Sequence, residues 1–568
     1  MPGLYEVVGA ADLNLKRKRG LMKKISTKIS AILLTLAIFL NFSLTGFASQ
    51  TDVARSWDEE IIYMVMTDRF FDGDPSNNNP SNVDGAYDKD HLEAYHGGDF
   101  RGLIEKIPYL KDLGVTTLWI TPIVKNIEDN MMADSGGKQF AYHGYWAEDF
   151  TRIDPHLGSE ADLKELIDTL HDNGMKLMVD VVINHSGYGT KNQGVFAGMH
   201  RENPEPGDIK SELDGLPDFI TEDKEVRDKI INWQVDWLRK LKTDKGNSID
   251  YFRVDTVKHV DQETMKDFKS AALAIDPNFK MIGENFGASV INNGGYLDPS
   301  MMDSLLDFEF KDLAKAFVNG KVEETEKKLV NRNHNISQEK QMGQFLSSHD
   351  EHGFLKMKVS DDLGKFLLAS SLQLTAKGQP VIYYGEEIGM SGRKDDFAKG
   401  IFSENRYDFD WSKTENNQVL DHYNKLLAIR NAYPEIFAKG DRIGLVSEDG
   451  VSVFKRIYDN QEIIVGLNTN EEAKTVSFEL DKVDEKLIDL YGKQRIKISG
   501  NEATLSLLGR AEGGTAILAY QSTIPEGIEV DDQGQGSRLA YIGLGLIALA
   551  ILSLILRKTK PNKVKAAS

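Results

Sequence analysis

Four short stretches of the sequence set acids beside bases at the ends of apolar runs. "DVVINH" ends one run with Asp180, Asn184 and His185, and "FRVDTVKH" ends another with Arg253, Asp255, Lys258 and His259. "GENF" supplies Glu284, and "SSHD" supplies His349 and Asp350. A lone acid at a strand end is most often a helix cap. Three acids with Arg and His on four separate runs need another explanation, and acetal cleavage at a sugar provides one. One carboxylate attacks the anomeric carbon, while a second carboxyl group protonates the leaving oxygen and later activates water. Retention of configuration sets the pair roughly 5–5.5 Å apart. Arg253, two residues before Asp255, falls on the same side of its strand and can keep Asp255 ionised. Glu284 has to begin protonated, which asks for burial or an acidic neighbour. Asp350 can be that neighbour and can also stabilise an oxocarbenium-like transition state.

Side chains so far apart in sequence meet only if strands carry them to one rim. Eight apolar runs qualify: 61–70, 116–123, 176–185, 248–257, 280–286, 304–310, 343–350 and 380–387. Helical spacing fills many of the gaps, as in 100–114 and 160–174. Near-continuous apolar strands alternating with helices indicate a parallel sheet, and eight of them indicate a closed (β/α)8 TIM barrel over residues 52–412. Residues 186–224, rich in Gly, Asn, Asp and Glu, read as a small domain inserted after the third strand. From 413 the pattern changes to one helix (422–433) and then short strands with turn signals, an all-β sandwich domain ending at 522.

Composition narrows the function further. A net charge of −20 argues against nucleic-acid binding, and the absence of cysteine leaves only oxygen or imidazole ligands for any metal. Residues 22–48 have the basic, apolar and small-residue order of a secretory signal, with a cut after Ala48. Near the other end a polar linker (523–538) leads to an uncharged apolar segment (539–556) and a basic tail (557–568). These read as a transmembrane helix with a cytoplasmic tail, so the expected body is extracellular and tethered to the membrane.

The four stretches resemble the four signatures of the α-amylase family of glycoside hydrolases, in order and at plausible spacings, and the resemblance runs over about 57–520. It implies Asp255 as nucleophile, Glu284 as acid/base and Asp350 as transition-state stabiliser. Arg253, His185 and His349 would contact the sugar being cleaved, as would His143 and Tyr145 of "YHGYW". Lys258 and His259 match a pair that touches the sugar beyond the cleavage point, although a lysine there is often only a solvated rim charge. The resemblance also implies structural calcium at one or two sites. The first, as in cyclodextrin glucanotransferases, uses Asp72, Asp74, Asn77 and Asn78 with Gly97 and Asp99. The second uses Asn184, the Ile209 carbonyl, Asp218 and the His259 carbonyl.

The chain departs from the glucanotransferase pattern in two features. Those enzymes carry an aromatic residue in mid-cleft four positions before the one matching Asp218; here that position is Asp214. They also continue into further β domains. The leading expectation is a monomeric α-amylase that hydrolyses internal α-1,4 bonds of starch or glycogen. A cyclodextrin-forming or transglycosylating enzyme is the alternative. A non-catalytic glycan-binding protein is a third reading, disfavoured because all three carboxylates are present.

Overall fold

Each of the eight runs contributes a strand, and each strand is shorter than its run. In chain order the strands are β1 (Ile62–Val65) and β2 (Thr117–Ile120), then an outlying antiparallel hairpin, β3 (Val124–Asn126) and β4 (Ala147–Ile153). There follow β5 (Lys176–Val181), β6 (Tyr251–Val254), β7 (Lys280–Gly283), β8 (Ser304–Asp307), β9 (Gln341–Gln344) and β10 (Gln379–Tyr383). Without the hairpin they form a closed parallel barrel in chain order, with β10 returning to β1. The computed structural model describes residues 55–525 apart from 136, 394–404, 483–484 and 493.

The strands end early because the chain must turn at the rim. β1 gives way to a helical turn at Thr67–Phe70, and β6 stops at Val254 because Thr256 is left-handed, with φ 50°. That conformation is unfavourable for a β-branched residue. The helices outside the barrel follow their amphipathic spacing. Phe100–Leu113 buries Leu103, Ile107 and Leu110, starts on the Asp99 cap and stops at left-handed Gly114. Glu160–Asp172 starts on a capping box between Ser159 and Asp162. The inserted stretch 186–224 is irregular as expected, with one short 3-10 turn at Gly194–Phe196 before the helix Lys224–Lys240. The hairpin β3–β4 has no counterpart in the predicted elements.

The predicted C-terminal domain is a two-sheet sandwich. β11 (Asp441–Glu448), β12 (Val451–Tyr458) and β13 (Gln461–Asn468) precede β14 (Lys474–Glu479), β15 (Leu487–Asp489), β16 (Arg495–Ser499), β17 (Glu502–Leu507) and β18 (Thr515–Tyr520). The sheets run β11-β12-β13-β18-β15 and β14-β17-β16, around a core that includes Val453, Ile464, Leu505 and Leu518. The all-β part starts later than 413, because Gln418–Ala432 and Pro434–Lys439 are helical. The first of these helices belongs to the barrel wall, where Asn431 donates to the Gly114 carbonyl at 2.7 Å.

Two arginines join sandwich and barrel. Arg442 makes a buried two-pronged bond to Glu326 of the helix Val322–Asn335, at 2.8 and 2.7 Å. Arg456, with Arg430 of the barrel wall, donates to the final carbonyls of the helix Leu363–Thr375. Those carbonyls lack partners within the helix, and its C-terminal dipole favours positive charge. Among the described residues no helix is long and apolar enough to cross a membrane. The predicted signal segment 22–48 and span 539–556 lie outside the described residues.

Candidate active site

β5, β6 and β7 are neighbours, with Asp180 in register with Arg253 and Arg253 with Ile282. The pairing continues one step past the strand ends: Asp255 N donates to the Val181 carbonyl at 2.9 Å, and Glu284 N to the Val254 carbonyl at 2.8 Å. Asp255 and Glu284 therefore stand side by side at one height. Arg253 lies beneath them, fully buried. Its Nη1 reaches both oxygens of Asp180 (2.9 and 3.0 Å) and Oδ1 of Asp255 (2.6 Å), while Nη2 reaches Oε2 of Glu284 at 3.0 Å. The Trp119 ring faces the guanidinium at 5.2 Å, and Trp119 Nε1 donates to Asp180 at 3.2 Å.

The same burial sets the protonation of both acids. Glu284 is pushed up to about 7 by burial, with Asp255 and Asp350 adding to the rise and Arg253 opposing it. Asp255 is pushed up to about 6 by burial, against the pull of Arg253 and with Asp180 raising it further. Arg253 thus keeps Asp255 ionised less completely than the sequence suggested, because burial and the neighbouring Asp180 outweigh its pull. The Asp255 and Glu284 carboxyls share one guanidinium, Asp255 on Nη1 and Glu284 on Nη2. Thr256 N also donates to Oε2 of Glu284, at 3.1 Å. Both backbone and arginine donors reach Oε2, so the Glu284 proton belongs on Oε1.

Asp350 sits six residues beyond β9, on a loop held from three sides. Arg406 donates through Nη2 to Asp350 Oδ1 and through Nε to the His349 carbonyl, both at 2.9 Å. The buried Asn405 amide donates to the carbonyls of Ser348 (3.1 Å) and Glu351 (3.2 Å), and its oxygen accepts from Gly392 N at 2.7 Å. Ser347 Oγ donates to buried Glu386 at 2.5 Å and accepts from Phe354 N at 2.9 Å. Burial raises the Asp350 pKa, but His349, Arg406 and Arg253 outweigh it and hold the carboxyl well below the usual carboxylate range.

Sequence and structure comparisons place the chain in a family. Residues 64–205 and 209–425 match the family model "Alpha amylase, catalytic domain", and 440–511 match "Alpha-amylase C-terminal domain". The chain belongs to the α-amylase family. It is a glycoside hydrolase, 28% identical over 498 residues to a beta/alpha-amylase of Paenibacillus polymyxa, covering 83% of this chain but only 38% of that protein. It is 29% identical over 553 residues to a cyclomaltodextrin glucanotransferase of Klebsiella oxytoca, covering 84% of this chain and 80% of the relative. An Anoxybacillus α-amylase structure superposes with TM-score 0.70 at 26% identity, over 83% of this chain and 99% of that one. A cyclomaltodextrin glucanotransferase with a three-domain ABC distribution gives TM-score 0.71 at 25% identity, over 81% and 99%.

Of the remaining residues expected at the family's active site, Tyr145 lies 6.0 Å from the same guanidinium and is in ring contact with His349 and His143. Tyr145 donates to Asp180 at 2.7 Å, lies 2.9 Å from His349 Nε2, and stacks parallel to the His349 ring. His143 is buried beside Tyr145, and burial with Arg406 nearby holds its pKa well below the ordinary imidazole range. His185 is pushed down to about 4 by burial, so it is neutral at working pH. Nε2 of His185 and Nδ1 of His349 are buried with no protein partner, which suits them to sugar hydroxyls. Lys258 and His259 stand apart from this cluster, tied to the inserted excursion: Lys258 pairs with the Asp208 carboxylate at 3.4 Å, and His259 Nδ1 lies 2.7 Å from the Asp208 carbonyl.

Asp180, Trp119, Asn405, Arg406 and Glu386 went unassigned in the sequence. Only Asp180 lay within a motif already noticed. Asn405 touches neither acid, yet it ties both sides of the Asp350 loop. Asn405→Ala should therefore lower kcat by about 10²-fold through misplacement of Asp350, with KM little changed and the thermal midpoint lowered because the three bonds of a buried amide are lost. Steady-state kinetics checks this, and a rise in KM with kcat intact would contradict it.

Proposed function

We propose that the protein is an exported, membrane-tethered, monomeric α-amylase that cuts internal α-1,4 bonds of starch, glycogen and maltooligosaccharides with retention. One observation carries the reading: a single buried guanidinium holds Asp255 and Glu284 together, one poised to be ionised and the other protonated. Two carboxyls set at one height on neighbouring strands and held by one guanidinium suit the close spacing of a retaining pair better than the wider spacing that admits an inverting enzyme's water. Asp255 then attacks the anomeric carbon as Glu284 gives its proton to the glycosidic oxygen, and the leaving chain departs with that proton. In the second step Glu284 takes a proton from water, the hydroxide oxygen bonds the anomeric carbon, and Asp255 leaves as a carboxylate. Asp350, ionised throughout, faces the positive charge that develops on the sugar.

The competing reading is cyclodextrin formation. The similar three-domain glucanotransferase removes domain number as an argument against it. Asp214 still speaks for hydrolysis, because a carboxylate offers no stacking surface around which a glucan could curl.

Structural calcium forms part of the proposal, and the first predicted loop fits it. Asp72 Oδ1, Asn77 Oδ1 and Asn78 Oδ1 are all buried without a partner, a costly arrangement for three oxygens unless a hard cation satisfies them. The Cα of Gly97 lies so close that an added Cβ would come within 2.4 Å of Asn78 Oδ1. Asp99 joins by accepting from Asp74 N and Asn77 Nδ2, at 2.8 and 3.3 Å. Asp74 has a different task, capping the turn through Ser76. The second set is brought together in two halves: His185 and Asp218 form a backbone bridge, and His259 contacts Asp208, next to Ile209. Burial pushes Asp218 up to about 6, and Arg201 already pairs with it at 2.8 Å, so a cation there would share its carboxylate. Among the described residues no group of three or more His, Asp or Glu side chains is arranged to hold a metal. The first loop relies instead on amide oxygens, and the bound ion would pin 72–78 against 97–99.

Two outcomes are expected. The purified protein acting on soluble starch should release a linear maltooligosaccharide ladder that shortens with time and is absent for Glu284→Gln; cyclic or elongated products would move the assignment to a transferase. Chelation should lower the unfolding midpoint reversibly, calcium at 100 times its Kd adding about 2.7 kcal/mol. A midpoint indifferent to chelator would remove calcium from the account.

A further inference from the structure

Five rings run in contact from the catalytic rim to the inserted excursion. His349 stacks on Tyr145 at 5.4 Å, Tyr145 lies 5.8 Å from His143, His143 4.5 Å from Trp146, and Trp146 5.0 Å from Tyr188. His349, His143 and Trp146 are buried, so of the five rings only Tyr145 and Tyr188 are partly open to solvent. Both pack against the same apolar cluster of Ile127, Ala141, Trp146 and Leu216.

Tyr188 is fixed at both ends. Its ring meets Trp146 edge-on, and its hydroxyl donates to the Asp214 carbonyl at 2.9 Å. Asp214 and Gly215 are consecutive left-handed residues (φ 52° and 79°), so the hydroxyl holds a tight turn that the chain would not otherwise favour. A ring held this way has already lost its rotamer freedom, and stacking a pyranose on it costs little further entropy. Trp146, wedged between the tyrosines, keeps their spacing rigid.

Building on the α-amylase reading above, we propose that Tyr188 is a second aromatic platform for the glucan chain. It binds a sugar at least one unit away from the residue beside Tyr145, and so sets the enzyme's preference for longer chains. The proposal concerns binding and does not depend on the chemical step.

The test uses the hydrolysis-dead Glu284→Gln protein and titration calorimetry with maltoheptaose and maltose. Adding Tyr188→Ala should weaken maltoheptaose binding by about tenfold, the scale of one aromatic contact, and leave maltose nearly unchanged. Adding Tyr188→Phe keeps the ring and its contact with Trp146, loses the bond to Asp214, and should cost maltoheptaose binding much less than Ala. If Phe weakens binding as much as Ala, Tyr188 merely braces the loop and the proposal falls. Equal losses for both sugars with Ala would also overturn it. The starch product profile of the wild-type protein decides the α-amylase reading separately.

Discussion

The site depends on one guanidinium serving three carboxylates. Arg253 is buried at the rim and touches Asp180, Asp255 and Glu284 at 2.6–3.0 Å. Three acids so close to one cation cannot all ionise at no cost, because charge in a buried site needs a partner. The structure resolves the excess by letting burial raise Glu284 and Asp255, while Asp350, farther out and served by Arg406, remains ionised. The proposed acid and nucleophile roles rest on that division of charge.

Much of the barrel's architecture serves this arrangement. Parallel register across β5, β6 and β7 brings Asp180, Arg253 and the residue before Gly283 to one level. Left-handed Thr256 turns the chain immediately after Asp255 and aims its own N–H at Glu284. Backbone strain of this kind persists where surrounding contacts over-determine it, and here β-ladder bonds on both sides do so. Asp350 comes from a loop instead of a strand, which explains why it needs Asn405, Arg406 and the Ser347–Glu386 pair to hold it in place.

The parts legible in the sequence were those written in local patterns. Period and apolar runs marked all eight strands, and strand-end motifs marked the three acids, because each signal is carried by neighbouring residues. The strand ends were overestimated: apolar character continues through residues such as Phe70 and Val257, which bury in turns after their strands stop. The β3–β4 hairpin was missed because its pairing joins Val124–Asn126 to residues more than twenty positions away through an irregular loop. Arg406 and Asn405 were missed for a similar reason. They lie in "ENRYDF", where nothing local marks a functional residue, and they acquire meaning only by meeting a loop 55 or so residues upstream. The positions of Lys258 and His259 were legible, but their ties to Asp208 in the inserted excursion were not.

The central claim is that burial raises Asp255 and Glu284 while Arg253 holds both values down, and the pH dependence of kcat/KM tests it most directly. The productive form has Asp255 ionised and Glu284 protonated. Activity should therefore fall below about 6 as Asp255 gains its proton and above about 7 as Glu284 loses one. Arg253 lowers both values, so Arg253→Lys, which cannot reach three carboxylates at once, should move both limbs of the profile to higher pH as well as lowering its height. Limbs that stay where they are while only the height falls would show that Arg253 orients the acids without setting their charge.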